Sequence, residues 1–177
     1  MPLVARTAVI TAGLLAALLG LLAGCAPEPA PTPTPTPAFA SEEEAFAAAE
    51  KVYRDYNDAV NAERAGDESA DPAQFLTSAA LETDIYSRRL VAREGWSLVG
   101  DGKVDAFVGT ESRMTATSSV VTATVCLDVT GSKVLNSDGD DVTPSDRVTR
   151  VLLDIEFVSA DDRLLISRTE VAKEKTC

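Results

Sequence analysis

A chain of 177 residues with a formal net charge of −12 lacks the basic face that a polyanion requires, so nucleic acid is excluded as an expected partner. It contains no histidine, which removes the commonest general base, the Ser-His-Asp arrangement and the commonest zinc ligand; no cofactor and no metal are expected. The length allows one domain of ordinary size behind a leader and a linker.

The first element is a secretory leader. Arg6 supplies the basic start, Val9 to Leu22 the short apolar core, and Ala23-Gly24 the small residues before a cleavage site. The core falls short of the roughly 20 apolar residues of a spanning helix. Leu22-Ala23-Gly24-Cys25 resembles a bacterial lipoprotein signal, and that resemblance implies cleavage after residue 24 and acylation of the Cys25 thiol. The competing reading is an ordinary secreted protein. Two acyl chains hold a protein on a bilayer, so the expected location is the extracytoplasmic face of a cell membrane, lipid-anchored through palmitate-like chains. Abundant Ala, Val, Thr, Asp and Arg with scarce Ile, Asn and Lys resemble the composition of high-GC actinobacteria.

Residues 25–40 form the second element. Pro and Thr alternate from Pro31 to Pro37, locking φ and removing donors, so the segment favours polyproline II and extends about 40 Å. It reads as a stalk, with Pro-x-x-Pro recognition and glycosylation of its threonines as alternatives.

Residues 41–177 carry the fold. Ser41 caps a helix, with Glu44 closing a capping box and acids at its positive end. Phe46, Ala49, Tyr53, Tyr56 and Val60 mark its apolar face, and Gly66 ends it. Asp71-Pro72-Ala73-Gln74 opens a second helix. A third is expected over 78–93 with Leu81, Ile85 and Leu90 inward, stopped by Gly95. Beyond Trp96 the period becomes two. A Gly100-Asp101-Gly102 hairpin turn leads to a strand at Val104 to Val108, and further strands follow at 121–129, 151–157 and 164–172, the last two joined by Asp161-Asp162. The acidic segment Asn136 to Asp141 lacks the spacing of a calcium loop and reads as a turn. With Cys25 acylated, Cys126 and Cys177 remain, and in an oxidising compartment a disulfide is the expected state, against free thiols or an intermolecular bond.

Helices first and then an antiparallel meander define an α+β domain. A long aromatic N-terminal helix, two shorter ones ending at Gly95-Trp96 and a meander of about four long strands resemble the NTF2-like, or SnoaL-like, cone. A cystatin-like sheet wrapped on one helix is the nearest competitor. The resemblance implies a curved sheet around a pocket, and some members use an Asp/His or Tyr/Asp arrangement there. Asp128 and Asp154 alternate with the apolar residues of their strands and are expected on the solvent side. Tyr53, Tyr56, Tyr86 and Trp96 are the candidate pocket residues, each of which could equally be core. The expected function is a non-catalytic, membrane-anchored binding domain for a small apolar ligand or an envelope protein. The alternative is an NTF2-like lyase or isomerase using an internal pocket. A homodimer through the outer sheet face, where Leu152 sits, is a further possibility.

Overall fold

A computed structural model describes residues 39–115, 117–160, 163–172 and 177, all within one unit, Pro35–Cys177. The leader, Cys25, the Pro/Thr stretch and the Asp161-Asp162 turn lie outside the described residues. Among the described residues no helix is long and apolar enough to cross a membrane.

Helix α1 (Glu42–Arg64) starts where the cap chemistry places it. The Ser41 hydroxyl accepts the Glu44 N–H at 3.2 Å, and the Glu44 carboxylate reaches one residue behind the cap to accept the Ala40 N–H at 2.7 Å. The buried face is Ala45, Ala49 and Tyr53, one step around from the Phe46 line. Two alanines let the helix lie close on the sheet, and Phe46 lies over Gly109, where an added Cβ would collide with the Phe46 ring. Asp71 and Pro72 open only a single tight turn, Pro72–Phe75, with the Asp71 carboxylate accepting the Ala73 N–H at 3.1 Å.

Helix α2 (Ser78–Glu94) ends in a Schellman motif: Gly95 adopts φ 66°, its N–H donates to the Ala92 carbonyl, and the Trp96 N–H donates to the Val91 carbonyl at 3.0 Å. The face expected inward is only partly so. Ala80 is the buried residue of α2, Leu81 and Leu90 are half-buried, and Ile85 is exposed.

Four strands, β2 (Lys103–Met114), β3 (Ser119–Asp128), β5 (Arg150–Ala160) and β6 (Arg163–Val171), form one antiparallel sheet in the order β2-β3-β5-β6. Register shifts interrupt β2 at Asp105 and Thr110, and Ser167 is the extra residue opposite the Glu156/Phe157 step. Each bulge bends its strand, and together they curve the sheet about α1. The Gly100 turn does not form the expected hairpin. The strand before it, β1 (Ser97–Val99), pairs instead with β4 (Lys133–Leu135) in a separate two-stranded sheet. Gly100 (φ 76°) packs so closely on the Gly131 carbonyl that no side chain fits between them. The fold is therefore α+β, with helices packed on a curved four-stranded antiparallel sheet, consistent with the expected cone.

Alternation along β3 and β5 sends Val121, Val125, Ile155 and Phe157 into the core beside Ala49, Tyr53 and Ile166. This interior and the Cys126–Cys177 bridge lie within the unit Pro35–Cys177, which thus has what a domain requires to fold by itself. Ser119 is an exception to the polar bookkeeping. It is 1% exposed, and its hydroxyl has no partner among the described residues, although its N–H donates to the Ser159 hydroxyl at 2.8 Å. A buried hydroxyl without a partner costs about 1–3 kcal/mol, so Ser119→Ala is expected to match or exceed the parent stability. Thermal unfolding checks this; a loss above about 1 kcal/mol would reveal a hydrogen bond to that hydroxyl.

Candidate functional site

α2 rests on β6 and leaves a cavity of about 660 Å³ bounded by α1, α2 and the concave sheet face. That volume lies within the roughly 300–1,000 Å³ of sites that enclose drug-sized molecules. On α1 the lining stripe runs Tyr53, Tyr56, Val60, Arg64, residues three or four apart and hence on one face. On α2 it runs Ala80, Asp84, Arg88, Val91. Leu127 and Leu153 contribute from the sheet. The Schellman turn delivers Trp96 to the rim, 40% exposed, with Leu98 of β1 beside it.

Three of the four candidate aromatics, Tyr53, Tyr56 and Trp96, line this cavity. Tyr86 does not. It is 66% exposed, and in the helical period it lies away from the Ala80–Asp84–Val91 stripe. The reason is instructive: α2 turns a face of small and charged residues to the cavity, whereas apolar bulk favours the other side.

Tyr53 is 3% exposed, and Tyr56 packs against it with ring centroids 6.0 Å apart. Desolvation pushes both phenols above their usual range, with the neighbouring tyrosine adding to the effect at Tyr53 and Asp84 at Tyr56. Both hydroxyls therefore stay protonated at neutral pH and keep a proton to donate.

The charged residues were missed by reading for aromatic and apolar bulk, although their helical spacing marks them. Arg88 binds Asp84 at 2.6 Å and also pairs with Glu63 from α1, bridging the two helices. The Glu63 hydrogen bond, first among the causes, holds the Arg88 guanidinium above its ordinary range. Nearby, Asn57 and Asn61 donate to the Gly102 carbonyl at 3.0 and 2.8 Å, and the Gly102 N–H donates back to Asn61 at 2.9 Å. This clamp ties the end of α1, and with it Arg64, to the segment between β1 and β2.

The two strand aspartates stand elsewhere. Asp154 is exposed, beside a smaller groove of about 220 Å³ with Glu156, Arg168 and Glu170 on the outer sheet face. The Thr130 side chain, and after it the Thr130 N–H that donates to the Asp128 carboxylate at 2.8 Å, hold Asp128 below the usual carboxylate range. In the acidic turn, the Asn136 side chain accepts the N–H groups of Asp138 and Asp140 at 3.0 and 2.8 Å, so the segment is organised as a self-capped loop. Among the described residues, no cluster of three or more ligating side chains occurs.

Comparison with known proteins yields a fold and no family. No family model matches the chain, and no curated protein matches it. Among solved structures, the chain is similar to the intermembrane space region of the chloroplast protein ARC6, with a TM-score of 0.51 and 14% identity over 71% of this chain and 95% of that one. At that identity the likeness is one of fold.

Proposed function

We propose that this is a lipid-anchored extracytoplasmic protein of the bacterial envelope, related to NTF2-like domains, whose folded part binds a small, largely apolar ligand rather than transforming it. The observation that carries the reading is the cavity. It opens between α1 and α2, is lined by Tyr53, Tyr56, Val60 and Leu153, and has its carboxylates Glu63 and Asp84 already bonded to Arg88. A lyase or isomerase in the same place needs an acid and a base free to exchange a proton with substrate. Carboxylates held by a guanidinium and phenols held protonated suit that role poorly. A fold shared with a region found in an intermembrane space accords with a domain standing outside a membrane. Cys25 supports the anchor, and the disulfide supports an oxidising compartment.

Native mass spectrometry of residues 26–177, secreted from a bacterial host, tests the binding claim. A stoichiometric small-molecule adduct, lost on organic extraction, is expected. A bare chain that captures an envelope protein instead would replace the ligand reading with an adaptor. Radiolabelled palmitate incorporated by the full chain and lost in Cys25→Ala is expected of the anchor; label that survives the substitution would refute it.

A further inference from the structure

Among the described residues, not every charged side chain that lines the cavity makes a hydrogen bond or ion pair. Two arginines and two carboxylates line it, but Arg88 takes both carboxylates for itself. Arg64 lines the same cavity, half-buried, and makes no hydrogen bond or ion pair among the described residues. Tyr53, nearly fully buried, and Tyr56 likewise make no hydrogen bond through their hydroxyls among the described residues. Burial pulls the Arg64 guanidinium below its ordinary range, while Tyr56, Glu63 and Asp101 are near enough to favour its charged form. Around one cavity, then, stand a guanidinium and two phenols, each able to donate and none with an acceptor among the described residues.

A desolvated guanidinium favours a planar anion that accepts two parallel N–H bonds, the geometry of a carboxylate. The four lining charges, Arg64 and Arg88 against Glu63 and Asp84, sum to zero, so a ligand with one negative charge unbalances the cavity less than a dianion does. Arg64 sits at the C-terminal end of α1 and Tyr53 three turns earlier, about 16 Å away at the α-helical rise. Between them α1 contributes Tyr56, Asn57, Val60 and Glu63 to the lining, and Leu76 and Leu153 belong to the same buried cluster as Tyr53. A headgroup at one end and an apolar channel toward the other describe an amphiphile.

We infer that the cavity binds a long-chain monocarboxylate, with the carboxylate on Arg64 and Tyr56 and the hydrocarbon tail directed along α1 toward Tyr53 and Leu76. This rests on the binding reading given above and assigns the chemistry of its ligand.

The test uses Trp96, the chain's one tryptophan, whose place on the rim makes its fluorescence a report of occupancy. Residues 26–177 are titrated with dodecanoic acid and with dodecanol, which share a tail and differ in charge. The acid is expected to bind about ten-fold more tightly than the alcohol, the discrimination of a charge-assisted hydrogen bond. Arg64→Gln is expected to bring the two within about two-fold, and Arg64→Lys to retain part of the preference. Unfolding curves confirm that each variant is folded, and the acid-to-alcohol ratio in the parent needs no variant at all. Equal binding of acid and alcohol by the parent, or a preference untouched by Arg64→Gln, overturns the headgroup assignment and leaves the cavity reading standing. Binding of neither probe overturns both.

Discussion

Replacing Phe157 with alanine is expected to lower the unfolding free energy by about 3–5 kcal/mol, the cost of emptying a fully enclosed aromatic site. Phe157 is 0% exposed on β5, a central strand of the four-stranded sheet. It sits opposite Val121 on one side and Ile166 on the other, and its ring stands 6.2 Å from Phe107 at a tilt of 56°. Neighbours drawn from β2, β3 and β6 cannot all move to fill the space, because three strand pairings hold them. Phe157→Leu keeps most of the volume and is expected to cost under about 1.5 kcal/mol. Urea unfolding measures both through a shift in midpoint at unchanged slope. A loss below about 1 kcal/mol in Phe157→Ala would show that this layer is not packed as described.

Removing the disulfide is expected to have an effect of similar size by a different route. Cys126, 6% exposed on β3, is bonded to Cys177, with a Cα–Cα distance of 5.6 Å and a sequence separation of 51. Closing a loop of that length restricts the unfolded chain by about 4 kcal/mol. The bridge also ties the chain's last described residue to the outer face of a central strand, beside Arg150, whose guanidinium approaches the Cys126 sulfur at 3.7 Å and binds Asp105 at 2.6 Å. The double variant Cys126→Ala, Cys177→Ala is expected to melt on the order of 10 °C lower than the parent, and each single variant nearly as low, because either one removes the whole cross-link. Differential scanning calorimetry with and without reductant checks this. A melting temperature indifferent to reductant would mean that the bridge does not form.

The cavity draws together features that have little to do with one another locally. The bulges at Asp105, Thr110 and Ser167 curve the sheet, the short Pro72–Phe75 turn sets where α2 begins, and the Gly102 clamp seats the end of α1. α2 meets β6 and buries only Ala80 completely, so its Asp84–Arg88–Val91 side faces a gap rather than a packed neighbour. A cavity of this kind is a shortfall in packing, and its lining can be polar where core residues cannot. That is why α2 reads poorly as an amphipathic helix and why its apolar residues Ile85 and Tyr86 lie on the wrong side for a core prediction.

Read without coordinates, the chain already determined its caps, its strand alternation and its class. Ser41 with Glu44, Asp71 with Pro72 and Gly95 act within a few residues through hydrogen bonds and allowed φ values, so their meaning is complete in the local sequence. The alternation in β3 and β5 likewise needs only the two-residue period of a strand, and the pairing of Cys126 with Cys177 follows once just two thiols share an oxidising domain. What tertiary structure decided is whatever depends on partners distant in the chain. β1 joined β4 rather than the adjacent β2, because Gly100 packs against Gly131 and carries the pairing across more than thirty residues. Tyr86 left the site and Glu63, Arg64, Asp84 and Arg88 entered it, because helical period tells which residues share a face but not what that face meets. That Arg64 makes no ion pair among the described residues is a property of the assembled molecule alone: Arg88 takes the carboxylates of Glu63 and Asp84, an arrangement settled only when α1 and α2 stand side by side.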